Sequence, residues 1–140
     1  SGFISDFKGS MIDALINGFR PDPARATIVF FQHSGGAIGR IAPDATAFPH
    51  RHSKNNMFSV VAWNLDGPAA PHVGFIKDYW ATLEPYTDGY YTNEVGDEAQ
   101  HIVDANYQGN IGRLRKLKRQ YDMANLFRLN ANVLPGAVPA

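Results

Sequence analysis

Tyr91 and Asn93 stand two residues apart in the run GYYTN, and Tyr107 and Asn110 three apart in YQGN. On a strand the first pair would share one face, with Tyr90 turned the other way and into a core. A phenol beside a carboxamide offers groups that both donate and accept hydrogen bonds and are aimed at some partner. To act as a base, a phenol that titrates near ~10 in isolation requires a neighbouring cation or a strong hydrogen bond. No residue in the sequence identifies itself as that neighbour. From spacing alone, the commoner reading of Tyr91 is a half-buried sheet tyrosine with a satisfied hydroxyl. Asn110 has a structural alternative too, an amide near a helix start that satisfies an orphan backbone N–H. Asn130 and Asn132 offer two more amides beyond the same helix.

Other groups carry less chemistry. His50-x-His52 on an extended segment could share a metal, with His72 or His101 joining, but no Asp, Glu or Cys stands at ligand spacing. Surface polar histidines are the expectation, and no metal is. His33-Ser34-Gly35-Gly36 has the look of an esterase oxyanion loop, yet there is no G-x-S-x-G elbow, so Ser34 reads as a turn residue. Arg113 to Arg119 packs five basic residues into seven, next to a GxxG at Gly109–Gly112 of the kind that clamps backbone nucleotides. Thirteen basic residues balance thirteen acidic ones, so no global field draws nucleic acid, and a solvated helix face is the simpler reading. The absence of cysteine excludes disulfides, thiolate catalysis and Cys-ligated zinc. No apolar run approaches the ~20 residues that span a bilayer, and no signal peptide is visible. The compartment stays open, the cytoplasm being favoured over the alternatives.

The elements that must position these groups follow from periodicity. Phe7, Met11, Ile12, Leu15, Ile16 and Phe19 are helically spaced over 5–19, and Pro21 and Pro23 stop the run. Thr27–His33 and Phe58–Trp63 are β-branched and aromatic, and read as strands. Between them, Gly35-Gly36 turns the chain, Ala37–Ile41 is expected to return as a strand, and Ala45–Phe48 is expected to be extended. A helix is expected over 71–84, a strand over Tyr90–Asn93, and a helix opening at Asp97, with Glu98 in its first turn, and ending near Ala105. The last helix spans Asn110–Gln120 with its apolar seam at Ile111, Leu114 and Leu117, and Gly136–Ala140 forms a frayed tail. One α+β domain results, an antiparallel sheet with helices mainly on one face. At 140 residues it can bury roughly 68–70% of its unfolded surface.

The stretch Gly89–Asn132 resembles the C-terminal, berberine-bridge-type element of the FAD-linked oxidases. That family carries Tyr-x-Asn, Tyr-x-x-Asn, an Arg-Leu helix, an Asp-Pro-x-Asn-x-Phe turn and a closing Asn-x-(Ile/Val). The counterparts are Tyr91-Thr92-Asn93, Tyr107-Gln108-Gly109-Asn110, Arg113-Leu114, Asp122 to Phe127, and Asn130 followed by Asn132-Val133. Met123 replaces the usual proline. Upstream, His33–Arg51 is similar to the family's late substrate-domain strands, and coverage runs over roughly 26–134. The resemblance implies a substrate-domain portion over 1–88, a flavin-contacting segment over 89–135 and a tail over 136–140.

It further implies that Tyr91 lies near the reacting carbon and acts as, or assists, the base during hydride transfer to flavin. Asn110 would approach the flavin ring, Tyr107 would line the same pocket, and Asn93 and Asn130 would add cofactor contacts. FAD is then the cofactor of the intact enzyme and a carbinol or amine the small-molecule substrate, with oxygen regenerating the flavin. An upstream FAD-binding domain would carry the pyrophosphate contacts. The Ser-Gly start fits a processed, tagged or truncated product, so the expectation is a fragment or one chain of a split enzyme, inactive alone. The face bearing Tyr107, Asn110, Asn130 and Asn132 would be uncovered and would associate as a homo-oligomer. The rivals are a non-catalytic α+β assembly module and a KH-like nucleic-acid binder.

Overall fold

A nine-residue strand pair organises the first part of the chain. The computed structural model describes residues 1–94 and 100–136. They divide into two compact units, one made of residues 1–35 and 53–88, the other of 36–52 and the chain from Gly89 onward.

In the first unit, β1 (Gly2–Ile4), β2 (Arg25–His33) and β3 (Asn55–Trp63) form an antiparallel sheet in the order β1-β3-β2. Register along β2 and β3 is unbroken from Arg25 opposite Trp63 to His33 opposite Asn55. Alternation does the sorting, because side chains two apart share a face. Val29, Phe31 and Met57 point to the side where α1 (Gly9–Gly18) and α2 (Ala69–Leu83) deliver Met11, Leu15, Tyr79 and Leu83. Ile4, Met11, Met57 and Leu83 are fully buried there. Tyr79 donates from its hydroxyl to the Leu15 carbonyl at 2.9 Å, and burial raises its phenol pKa. The opposite face keeps Ile28, Phe30 and Val60 wet, with Phe30 stacked on its cross-strand partner Phe58 at 4.6 Å. The result is the expected α+β arrangement, helices on one face of an antiparallel sheet.

β1 was not legible in the sequence, since three residues carry no period. Its first residue is fixed by space: a Cβ on Gly2 would come within 2.6 Å of Thr87 Cγ2.

The second unit contains α3 (Gln100–Tyr107) and α4 (Ile111–Tyr121), joined by a 3-10 turn at Gln108–Asn110. Three expected extended pieces are absent from it. Ala37–Ile41 is not a returning strand: Gly36 has φ +58°, and Ile38–Arg40 closes a 3-10 turn through Arg40 N–H to Ala37 O. Ala45–Phe48 is a bend whose Thr46 carbonyl is taken by the distant Asn110 and whose Phe48 carbonyl is taken by the nearby Arg51, rather than by a ladder. Tyr90–Asn93 is not a strand either, because Thr92–Glu94 is a 3-10 turn. Over 37–48, local and side-chain hydrogen bonds hold the backbone, so no ladder is needed there. The expected helix start at Asp97 and Glu98 lies outside the described residues, as does the tail beyond Gly136.

Candidate functional site

Thr92, Asn93, Tyr107, Leu129, Asn130 and Ala131 line a cavity of about 430 Å³ in the second unit. It brings together a 3-10 turn, the carboxyl end of α3 and the turn that follows α4. Asn93, Tyr107 and Asn130, candidates on sequence grounds, thus meet at one wall. Asn130 has φ +59°, a left-handed conformation that asparagine tolerates better than most residues. Tyr91 stands directly behind Asn93, whose Nδ2 donates to its hydroxyl oxygen at 2.9 Å. The pair meets through a tight turn, not along a strand. Phe48 packs edge-on against the Tyr91 ring at 6.4 Å. Tyr90 is half-buried.

Asn110 is not among the cavity's lining residues. It is buried, and its Nδ2 donates to the carbonyls of Pro43 at 2.7 Å and Thr46 at 3.0 Å. Both amide hydrogens are thereby committed to the loop, so toward a ligand only Oδ1 could act, as an acceptor. The helix-capping alternative fails, because Asn110 makes no side-chain cap bond at the start of α4. Asn132 accepts from Gln100 Nε2 at its backbone oxygen, while its side-chain Oδ1 is buried without a partner among the described residues.

Arg113 and Lys116 of the basic run are exposed, as a solvated face requires, but Arg113, Arg115 and Lys118 have partners. Arg113 donates to the Asp44 carbonyl at 2.8 Å, Arg115 pairs with Asp104 across α3 and α4, and Lys118 pairs with Asp122. Gly112 lies inside α4 rather than in a loop.

Asp122 organises the turn that leads to the cavity. Its carboxylate accepts from the N–H groups of Leu126 at 2.7 Å and Phe127 at 3.0 Å. The hydrogen bond from Lys118, with those two backbone bonds, holds its pKa below the usual carboxylate range. Asn125 takes φ +52° within the turn. Met123, in place of the family's proline, is 72% exposed and makes no demand on the packing.

Two histidines contradict the surface expectation. His72 is buried and stacks on Trp63 at 5.2 Å. His50 is 3% exposed, with Nε2 at 3.0 Å from the Asn106 carbonyl and Nδ1 at 3.3 Å from Gln108 Nε2. Gly89, at φ +146°, lies so close that a Cβ would sit 2.5 Å from His50 Cε1. A histidine in FPHR carries no periodic signal of burial. The glycine that makes room for it is 39 positions away.

Amide and phenol groups from separate segments, those of Asn93, Tyr107 and Asn130, fit the hydrogen-bonding edge of a flavin ring. Among the described residues, no group of three or more His, Cys, Asp or Glu could hold a metal ion.

Among known proteins, the chain is similar to ones named as FAD-linked oxidoreductases. The family described as berberine and berberine like matches residues 84–134. An uncharacterized FAD-linked oxidoreductase of Bacillus subtilis, YgaK, is 33% identical over 81% of this chain and 25% of its own length. Berberine bridge enzyme-like 17 of Arabidopsis thaliana is 29% identical over 74% of this chain and 23% of that protein. BBE-like 1 of Physcomitrella patens superposes with a TM-score of 0.68 at 24% identity, over 99% of this chain and 29% of that one. A variant of berberine bridge enzyme does so with a TM-score of 0.76 at 17% identity, over 97% and 32%. At such identities the structural likeness establishes the fold. The chain spans about a quarter of the length of the curated relatives it matches. Residues 84–134 are thus the berberine-like element, in a chain similar to one part of the berberine-bridge-like FAD-linked oxidoreductases.

Proposed function

We propose that this chain supplies part of the flavin-facing wall of an FAD-dependent oxidoreductase that oxidises a carbinol or amine carbon, with oxygen as the final acceptor. The observation that carries the reading is the meeting of Asn93, Tyr107 and Asn130 on one cavity, with the Tyr91 hydroxyl hydrogen-bonded to Asn93. Bound FAD would supply the acceptor for a hydride leaving the substrate carbon. The chain's own residues are left to hold the ring and to move the substrate's proton. Asn93 donates to Tyr91 Oη, so the phenol's own proton is directed elsewhere and the hydroxyl is fixed in orientation. Tyr91 then takes, or helps to take, the hydroxyl or ammonium proton as the carbon is oxidised, passing its own phenolic proton on toward solvent as it does so. Asn93, Tyr107 and Asn130 offer donors and acceptors to the ring's polar edge. Asn110 anchors the loop behind them and can add only its Oδ1.

The adenine and pyrophosphate contacts fall to a further domain, as the about fourfold greater length of the relatives suggests. The test is the FAD-loaded full-length protein carrying Asn130→Ala or Tyr107→Phe. Loss of a buried hydrogen bond to the ring should weaken flavin binding by about 1–3 kcal/mol or shift its potential. An unchanged flavin spectrum, potential and affinity in both variants would remove the cavity from the cofactor.

A further inference from the structure

We propose that His50 is the positioning residue of this site, an imidazole that ties the Tyr107–Asn110 turn and the Gly89–Tyr91 segment to one ring. The inference rests on the reading of Tyr91 and its neighbouring amides as the flavin-facing groups. Three contacts on the same side chain carry it. At Nε2 the partner is the Asn106 carbonyl at 3.0 Å, which can only accept, so Nε2 bears the proton. At Nδ1 the partner is the Gln108 amide nitrogen at 3.3 Å, which can only donate, so Nδ1 keeps its lone pair. The two contacts together favour one tautomer, with the proton on Nε2.

The third contact is steric. The His50 ring lies against Gly89, where any side chain would collide at 2.5 Å from Cε1. Two residues beyond Gly89 comes Tyr91, whose ring packs on Phe48, and Phe48 also packs edge-on against His50 at 5.7 Å. Both segments of the site are therefore referenced to one buried residue.

Gln108 shows what the ring is holding. It has φ +45°, a conformation that a non-glycine residue keeps only when its surroundings impose it. It stands between Tyr107, which lines the cavity, and Asn110, which anchors the 43–46 loop. Releasing the hydrogen bond to His50 lets Gln108 relax and moves both neighbours.

The experiment is hydrogen–deuterium exchange on the full-length protein, comparing wild type with His50→Leu and His50→Gln, joined to ¹⁵N NMR of the histidine ring. His50→Leu should speed exchange about tenfold or more at residues 106–110 and 89–91, while β2 and β3 keep their protection. His50→Gln carries an N–H donor where Nε2 stood and should recover most of the protection at 106–110. The wild-type ring should show one protonated and one lone-pair nitrogen. A doubly protonated ring, an unchanged exchange pattern, or a rise spread evenly over β2 and β3 would each overturn the proposal. None of these readouts uses substrate, so they fail separately from the flavin-facing reading, which falls if Tyr91→Phe leaves flavin reduction unaltered.

Discussion

Replacing Asn110 should damage the fold before it damages any cofactor contact. Its Nδ2 donates to two backbone carbonyls, Pro43 O at 2.7 Å and Thr46 O at 3.0 Å, from a side chain that is 8% exposed. A hydrogen bond of this kind contributes about 0.5–1.5 kcal/mol net, so removing both should destabilise the second unit by about 1–3 kcal/mol. Asn110→Ala tests this sum. Asn110→Asp tests the mechanism, because a carboxylate has the same shape but cannot donate and faces two carbonyl oxygens. A buried charge left without a partner costs about 3–5 kcal/mol, so the Asp variant should be the less stable of the two at neutral pH. Urea unfolding followed by far-UV circular dichroism reads both, since α3 and α4 report on this unit. An Ala variant within about 0.5 kcal/mol of wild type, or an Asp variant as stable as wild type, would refute the anchoring role. Asn110 would then be free to serve a ligand with its whole amide.

Gly89→Ala should open the second unit, because the residue sits at φ +146° and its new methyl would meet His50 at 2.5 Å; limited proteolysis should find faster cleavage than in wild type. For Asp122, a folded pKa below the unfolded one means that its contribution is complete above the ordinary carboxylate range near ~3.9 and is lost as pH falls through the lowered value. Asp122→Asn should therefore lower thermal stability at neutral pH, and the gap to wild type should close only below about pH 4, which a pH series of melting temperatures measures. The wet sheet face at Ile28, Phe30 and Val60 should drive association of the isolated 140-residue chain, and light scattering that finds a monomer at high concentration counts against it.

Much of the architecture was legible because it is periodic. Val29 and Phe31 alternate with exposed neighbours, and Met11, Leu15, Tyr79 and Leu83 recur at helical spacing, so the sheet and its covering helices follow from pattern. The loop over 36–52 was misread for a physical reason. Its carbonyls at Pro43, Asp44 and Thr46 are satisfied by Asn110 and Arg113, more than sixty positions away, and no local pattern announces that. Tyr91 and Asn93 do hydrogen-bond to each other, but through a 3-10 turn where a strand was expected. His50 stayed hidden because its burial depends on the missing side chain of Gly89. Arg113, Arg115 and Lys118 looked like a free basic face because their partners, one carbonyl and two carboxylates, lie off the helix or at its end.

The claim that Tyr91 works at the flavin is tested most directly by anaerobic stopped-flow of the FAD-loaded full-length protein, wild type against Tyr91→Phe. The phenylalanine keeps the ring packed on Phe48 and removes only the hydroxyl that Asn93 holds. If that hydroxyl moves the substrate's proton, flavin reduction should slow by about 10²–10⁴-fold while the flavin stays bound and the melting temperature holds. A rate within about threefold of wild type would contradict the assignment, since it lies far below a general-base contribution.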